Sequence, residues 1–347
     1  MSALRLALIG FGTVGQGLAR ILADRGADLR ERYGLDVRIT AVADLRCGSV
    51  HAADGLDPAR LLAAAGADGT FDAVDAEDRG WDALTTIREA QADVVAELAF
   101  TDLATGEPAL THVRTALEHG RHVITTNKGP VALAWPELAA TARRRGVRLE
   151  AEGTVMSGTP ALHLGAELLA GAGVTRIEGI LNGTTNYVLT RMEAGADFGE
   201  ALAEAQAEGY AEADPSGDVE GIDAAGKVVI LANRVMGAEL TMADVAREGI
   251  AGLTRADVEA AAAAGERWKL IGRVERDGQT VRASVAPRRV PATHPLASVG
   301  GATNAVTYTT ELLGDVTLIG PGAGKLATGY ALIADLLAIH RATGGAA

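Results

Sequence analysis

Leu4-Arg5-Leu6-Ala7-Leu8-Ile9-Gly10-Phe11-Gly12-Thr13-Val14-Gly15 runs a short apolar segment directly into a glycine-rich turn. Leu4 to Ile9 reads as a buried parallel strand. The chain after it reads as a helix to about Asp24, with Val14, Leu18, Ile21 and Leu22 on one face. This is G-x-G-x-x-G between a strand and a helix, the context the motif requires. Gly10 permits the tight turn, Gly12 lets backbone approach a pyrophosphate, and Gly15 lets the helix pack on the strand. The helix N-terminus, with Phe11, Thr13 and Val14 in the loop, then faces the phosphates. A second strand, Val37 to Ala43, ends at Asp44, where an acid holds an adenosine ribose hydroxyl. Arg46 suits a 2′-phosphate instead, so NAD and NADP are both open. The alternative, a tight turn with no ligand, leaves Asp44 unexplained.

Further strands are expected at Asp93 to Leu98, His122 to Thr126 and Val147 to Ala151, with helices at His112 to His119 and Trp135 to Arg145. They complete a Rossmann-type, doubly wound parallel α/β domain over residues 1–150. Gly48 to Gly80 reads as a loop-rich elaboration without visible chemistry. Beyond Glu152 the pattern changes to a second, α+β domain over 151–315. Its strands are expected at Val174 to Leu181, Lys269 to Val274, Thr280 to Val285 and Val306 to Glu311. Asn182-Gly183-Thr184-Thr185-Asn186-Tyr187 offers amides and hydroxyls to a small polar ligand, or caps a helix. Gly320-Pro321-Gly322-Ala323-Gly324-Lys325 opens a final helix to about His340, expected to return to the nucleotide domain as residues 316–347. Its glycine spacing is not that of a P-loop.

Gly209 to Lys227 reads G-Y-A-E-A-D-P-S-G-D-V-E-G-I-D-A-A-G-K. Glu212, Asp214, Asp218, Glu220 and Asp223 run up to one lysine. A helix over Val219 to Asn233 places Asp223 and Lys227 on one face. A surface ion pair is the plain explanation, stabilising by about 0.2–0.5 kcal/mol. Val228-Val229-Ile230-Leu231-Ala232 argues for burial all round instead. A buried, paired ammonium is suited to proton donation. Only four of the 32 basic residues are lysines (Lys128, Lys227, Lys269 and Lys325). Arginine does not titrate near neutrality, so lysine stands out where a proton must move.

The 347 residues suffice for two domains, and 48% hydrophobic content makes them globular. A net charge of −13 disfavours nucleic acid and anionic membranes as partners. No signal-peptide pattern and no apolar run of about 18 residues is visible, so a cytoplasmic protein is expected. Cys47, the one cysteine, excludes an internal disulfide, and no base is evident beside it.

The series G-F-G-T-V-G-Q-G, T-T-N-K-G-P, E-G-T-V-M-S-G-T-P, I-L-N-G-T-T-N-Y and G-Y-A-E-A-D-P-S-G-D-V-E-G-I-D-A-A-G-K resembles homoserine dehydrogenase, in family order. The resemblance implies reversible NAD(P)H-dependent reduction of L-aspartate 4-semialdehyde to L-homoserine, on the threonine and methionine route. It makes Lys227 the proton donor, with Asp223 beside it and Lys128 near nicotinamide and substrate. Glu212, Asp218 and Thr184, with Asn182 and Gly183, fall on substrate-binding positions. Gly322 falls in a cofactor loop. Glu152 and the backbone carbonyls of Val155, Ser157 and Thr159 fall on a sodium site, sensible for a hard cation. A homodimer built through the second domain is also implied. Ala99-Phe100 departs from the threonine-proline pair frequent there. The chain is expected to be a short form without a C-terminal regulatory domain. Competing readings are another two-domain NAD(P) dehydrogenase, working through a Cys47 thiohemiacetal, and a non-catalytic dinucleotide sensor.

Overall fold

A computed structural model describes residues 3–67 and 69–344. They divide into two compact units, residues 1–158 with 324–347, and residues 159–323. Segment 151–158 thus groups with the nucleotide unit, and 316–323 with the second.

In the first unit the chain runs β1 (Leu4–Ile9), α1 (Thr13–Tyr33), β2 (Val37–Asp44), β3 (Gly48–His51), α2 (Pro58–Ala67) and β4 (Asp78–Arg79). It continues with α3 (Ala83–Glu89), β5 (Val94–Glu97), α4 (Ala109–Glu118), β6 (His122–Thr125), α5 (Lys128–Arg145) and β7 (Leu149–Glu150). The sheet order is β4-β3-β2-β1-β5-β6-β7. β2, β1, β5, β6 and β7 are parallel. β1 is apolar and buried from Leu6 to Ile9 because both its faces are covered there. Leu6 and Leu8 pack with Leu18, Leu22, Leu332 and Leu336 on one side. Ala7 and Ile9 pack with Ile87, Val113 and Leu117 on the other.

Gly48 to Gly80 is not the loop expected from sequence. β3 and β4 add to β2 as antiparallel edge strands. Four- and two-residue strands carry too little periodicity to be read; pairing with β2 forms them. α1 ends at Gly34, left-handed at φ 67, whose N–H returns to the Arg30 carbonyl. The C-terminal helix, Lys325–Ala342, lies on α1 and buries Leu332, Ile333, Leu336 and Ile339. Glycines permit the close crossing. A Cβ on Gly329 would stand 2.7 Å from the Gly17 carbonyl carbon, and one on Gly17 would strike the Lys325 carbonyl oxygen.

The second unit comprises α6 (Ala161–His163), β8 (Val174–Ile180), α7 (Gly183–Glu193), α8 (Phe198–Ala207), α9 (Ser216–Val219) and α10 (Ile222–Val235). Then come β9 (Val245–Arg247), α11 (Arg255–Ala263), β10 (Glu266–Asp277), β11 (Thr280–Pro291), β12 (Thr303–Thr310) and β13 (Gly314–Pro321). The six strands order as β13-β12-β8-β10-β11-β9, and only the β11/β9 pair is parallel. The helix expected from Val219 is interrupted. α9 ends, Gly221 turns left-handed at φ 78, and α10 begins at Ile222. α10 is buried from Ala224 through Asn233, as its all-round apolarity requires. No helix among the described residues is long and apolar enough to cross a membrane.

Candidate active site

A cleft of about 550 Å³ opens at the carboxyl ends of β1, β2 and β5 in the first unit. Gly10, Gly12, Asp44, Ser49, Trp81 and Leu98 are among its lining residues. Gly10, at φ 102, has no room for a side chain: a Cβ would stand 2.6 Å from the Leu98 carbonyl oxygen. A Cβ on Gly15 would stand 2.8 Å from the Gly10 carbonyl oxygen. At Gly12, by contrast, a Cβ would meet no atom within 4 Å, because it would project into the cleft. No side chain caps α1 at Gly12, and its first turn, Thr13-Val14-Gly15, holds no acid. Backbone donors and the positive end of the helix therefore suit an anion there. These features fit the pyrophosphate of a dinucleotide.

Phe11 is turned the other way. Its ring is buried edge-on to Phe71, and its N–H donates to Asp44 Oδ2 at 2.7 Å. Asp44 Oδ1 accepts from the N–H groups of Arg46 and Cys47 at 2.9 and 2.8 Å. Burial works to raise the Asp44 pKa, but these backbone donors outweigh it and hold the carboxyl below its ordinary value. The carboxylate is thus fixed and charged at the cleft. Arg46 is exposed and is not a lining residue. Cys47 is 2% exposed, and burial together with the Asp44 charge pushes its thiol pKa up. A buried thiol held neutral is a poor nucleophile, which argues against the thiohemiacetal mechanism.

Lys128 opens α5 directly after its cap. The cap is Asn127, whose Oδ1 accepts from Gly129 N–H while its Nδ2 donates to the carbonyls of Ala99 and Phe100. One buried amide therefore ties the start of the Lys128 helix to the loop after β5 that lines the cleft.

In the second unit, Lys227 Nζ donates to Asp223 Oδ2 at 2.7 Å and to the Leu181 carbonyl at 2.6 Å. The Lys227 side chain is only 9% exposed. Asn182 bridges the acids, its Nδ2 donating to Asp218 Oδ1 at 2.7 Å and to Asp223 Oδ2 at 3.0 Å. Its own Oδ1 caps α7 by accepting from Thr185 N–H, so Asn182, not Thr184 or Thr185, is the cap. Thr184 Oγ1 donates to the Tyr210 carbonyl. Gly183 sits tight: a Cβ there would stand 2.7 Å from the Ala302 carbonyl oxygen. Asp218, Asn182, Asp223 and Lys227 thus form one hydrogen-bonded row. Glu212 is exposed on the loop before it.

Glu152, Val155 and Ser157 are buried in the first unit, in a tight turn where Met156 and Ser157 are both left-handed. Ser157 Oγ pairs with Thr328 Oγ1 at 2.7 Å. Thr159 begins the second unit, its hydroxyl donating to the Pro321 carbonyl. Gly322 lies against Asn304, whose amide a Cβ there would strike. Asn304 is fully buried, and neither of its amide atoms has a partner among the described residues. Sequence reasoning did not single it out. Lys269, another of the rare lysines, is structural: Nζ donates to the Val299 carbonyl and Asn186 Oδ1, and burial lowers its pKa. Lys325 Nζ donates to Gln16 Oε1, joining the C-terminal helix to α1.

Comparison with known proteins gives the family. Residues 10–152 match the profile described as homoserine dehydrogenase, NAD binding domain, and residues 160–337 the profile described as homoserine dehydrogenase. The NAD(+)-dependent homoserine dehydrogenase of Pseudomonas canavaninivorans is 48% identical over 98% of this chain and 97% of its own. The homoserine dehydrogenase of Methanocaldococcus jannaschii is 39% identical over 97% and 98%. Among solved structures, the Thiobacillus denitrificans homoserine dehydrogenase aligns at TM-score 0.86 and 33% identity, covering 99% of this chain and 74% of that one. A hyperthermophilic archaeal homoserine dehydrogenase mutant in complex with NADPH aligns at TM-score 0.85 and 28% identity, covering 98% of each. With a glycine cradle for a dinucleotide in one unit and a buried lysine–acid row in the other, the chain belongs to the homoserine dehydrogenase family of NAD(P)-dependent oxidoreductases.

Proposed function

We propose that Lys227 is the general acid of this homoserine dehydrogenase. The observation that carries this is the Lys227 ammonium, buried on α10 and held between Asp223 Oδ2 and the Leu181 carbonyl. The nicotinamide, when bound, supplies a hydride to the aldehyde carbon of L-aspartate 4-semialdehyde. The carbonyl electron pair moves onto oxygen, where the Lys227 ammonium stabilises it and transfers its proton to give the alcohol. Asp223, 2.7 Å away, aims the ammonium. Asp218 and Glu212 carry the charge to hold the substrate amino group, with Thr184, Asn182 and Gly183 shaping that end. Lys128, at the start of α5, is the second lysine assigned to the reaction, on the strength of the family resemblance.

We assign the cofactor preference to NAD over NADP. A fixed Asp44 carboxylate accepts from a ribose 2′-hydroxyl and repels a 2′-phosphate. Asp82 adds a second carboxylate to the cleft, and Arg46 does not line it. The 48% identical relative is named as NAD(+)-dependent, which supports this. Gly322 belongs to a cofactor-side loop in this reading. A sodium ion is assigned to the Glu152 carboxylate and the carbonyls of Val155, Ser157 and Thr159. It is supported by the burial of all four residues and by the left-handed turn at Met156-Ser157. A nicotinamide cofactor supports a cytoplasmic setting.

A homodimer through the second unit completes the proposal. Gly272 faces α10, since a Cβ there would meet Val228, so its neighbours Ile271 and Arg273 face away from the helix. That face is covered at Ile271 by Val290, Leu296 and Val299 and is half-exposed at Arg273, and a two-fold contact there would reuse one patch on both chains. The activity test is homoserine-dependent NADH formation by the purified protein, with light scattering on the same sample. Absence of turnover with either cofactor would overturn the catalytic reading; a monomer at micromolar concentration would overturn the dimer.

A further inference from the structure

We infer that Trp81 is the stacking platform for the adenine ring of the cofactor, an inference that rests on the cleft being the dinucleotide site. The pyrophosphate belongs at Gly12 and the N-terminus of α1, and the adenosine ribose at Asp44. The adenine must then lie beyond Asp44, on the side away from the phosphates. β3 and β4 bring one aromatic residue there. Asp44 pairs with Gly48, and Val50 with Arg79. β4 therefore runs back toward the ligand end of the sheet, and Gly80 N–H reaches the Ser49 carbonyl. Gly80 turns left-handed at φ 76 and delivers Trp81 to the cleft wall, with Leu45, Ser49, Ala83 and Leu84.

The indole is built as a platform. One side stacks on His51, with centroids 4.8 Å apart and planes 25° from parallel. His51 is 6% exposed, and its Nδ1 lies 3.2 Å from Asp78 Oδ2. Trp81 itself is half-buried, packed also against the core cluster that holds Ala43 and Ile87, and it borders the cleft. Leu45 is 98% exposed at the same cleft, an apolar side chain left without cover. A flat apolar ring between Trp81 and Leu45 satisfies both, and base–aromatic stacking needs no base-specific hydrogen bond.

The test uses tryptophan fluorescence and calorimetry on the whole protein. Adenosine monophosphate, which carries adenine without nicotinamide, should quench the emission; nicotinamide mononucleotide should not. Trp81→Phe should abolish the quench, leaving Trp135 and Trp268 to report, while calorimetry still detects NAD binding. Trp81→Ala should weaken NAD binding about tenfold, the order expected for one lost base stack, with KM for NAD rising alongside. An undiminished quench in Trp81→Phe, or an unchanged NAD dissociation constant in a folded Trp81→Ala, overturns the assignment. If the wild type binds neither adenosine monophosphate nor NAD, the cofactor reading of the cleft falls, and the platform with it.

Discussion

Lys227 Nζ sits 2.7 Å from Asp223 Oδ2, four residues back along α10, and 2.6 Å from the carbonyl of Leu181, just after β8. The same Asp223 oxygen accepts from Asn182 Nδ2, so two segments some forty residues apart converge on one lysine. A buried charge held this way is costly to disturb and cannot wander.

Lys227→Arg keeps the charge but cannot release a proton near neutral pH. Turnover should fall by at least about 100-fold, the scale of a lost general acid, with NAD affinity little changed. Steady-state rates and a calorimetric NAD titration check it; near wild-type turnover would exclude Lys227 as the donor.

Asp44 sets the cofactor ratio. Replacing it with serine removes the charge facing the ribose, so kcat/KM for NADP relative to NAD should rise about tenfold or more, the scale of one repelled charge. An unchanged ratio would mean that the carboxylate does not face the ribose.

The same residue predicts a pH dependence. The folded pKa of Asp44 is lowered, so below its ordinary value of 3.8 the unfolded chain takes up the proton first. Its contribution to stability is therefore complete above that value and is lost as pH falls through the folded pKa. Asp44→Asn should be less stable than wild type at neutral pH, and the gap should shrink as pH is lowered below 3.8. Urea melts across that range measure it, and a gap that stays constant would contradict the assigned shift.

Two glycines of α1 should respond in opposite directions. Gly17→Ala drives a methyl into the Lys325 carbonyl and should cost about 1–3 kcal/mol, as overpacking does. Gly26 has a helical conformation and nothing within 4 Å of its would-be Cβ, so Gly26→Ala should stabilise by about 0.5–1 kcal/mol. Thermal melts of the two variants decide it. A neutral Gly17→Ala would mean that the C-terminal helix does not rest on α1 as described.

What the sequence by itself determined was whatever depends on neighbours along the chain. β1 and its glycine turn follow from an apolar run and three spaced glycines, and the all-round burial of α10 follows from its composition. The Asp223–Lys227 contact follows from helical spacing alone. The tertiary structure decided what depends on distant partners. β3 and β4 exist only by pairing with β2, so Trp81 and Ser49 could not be placed at the cleft beforehand. Asn182 looked like one polar residue among several until folding set its amide between Asp218 and Asp223. Asp44 showed its charge but not the three backbone donors that fix it, one of them 33 residues away at Phe11. Periodicity encodes which face of an element is buried; it holds no record of which distant group will meet that face.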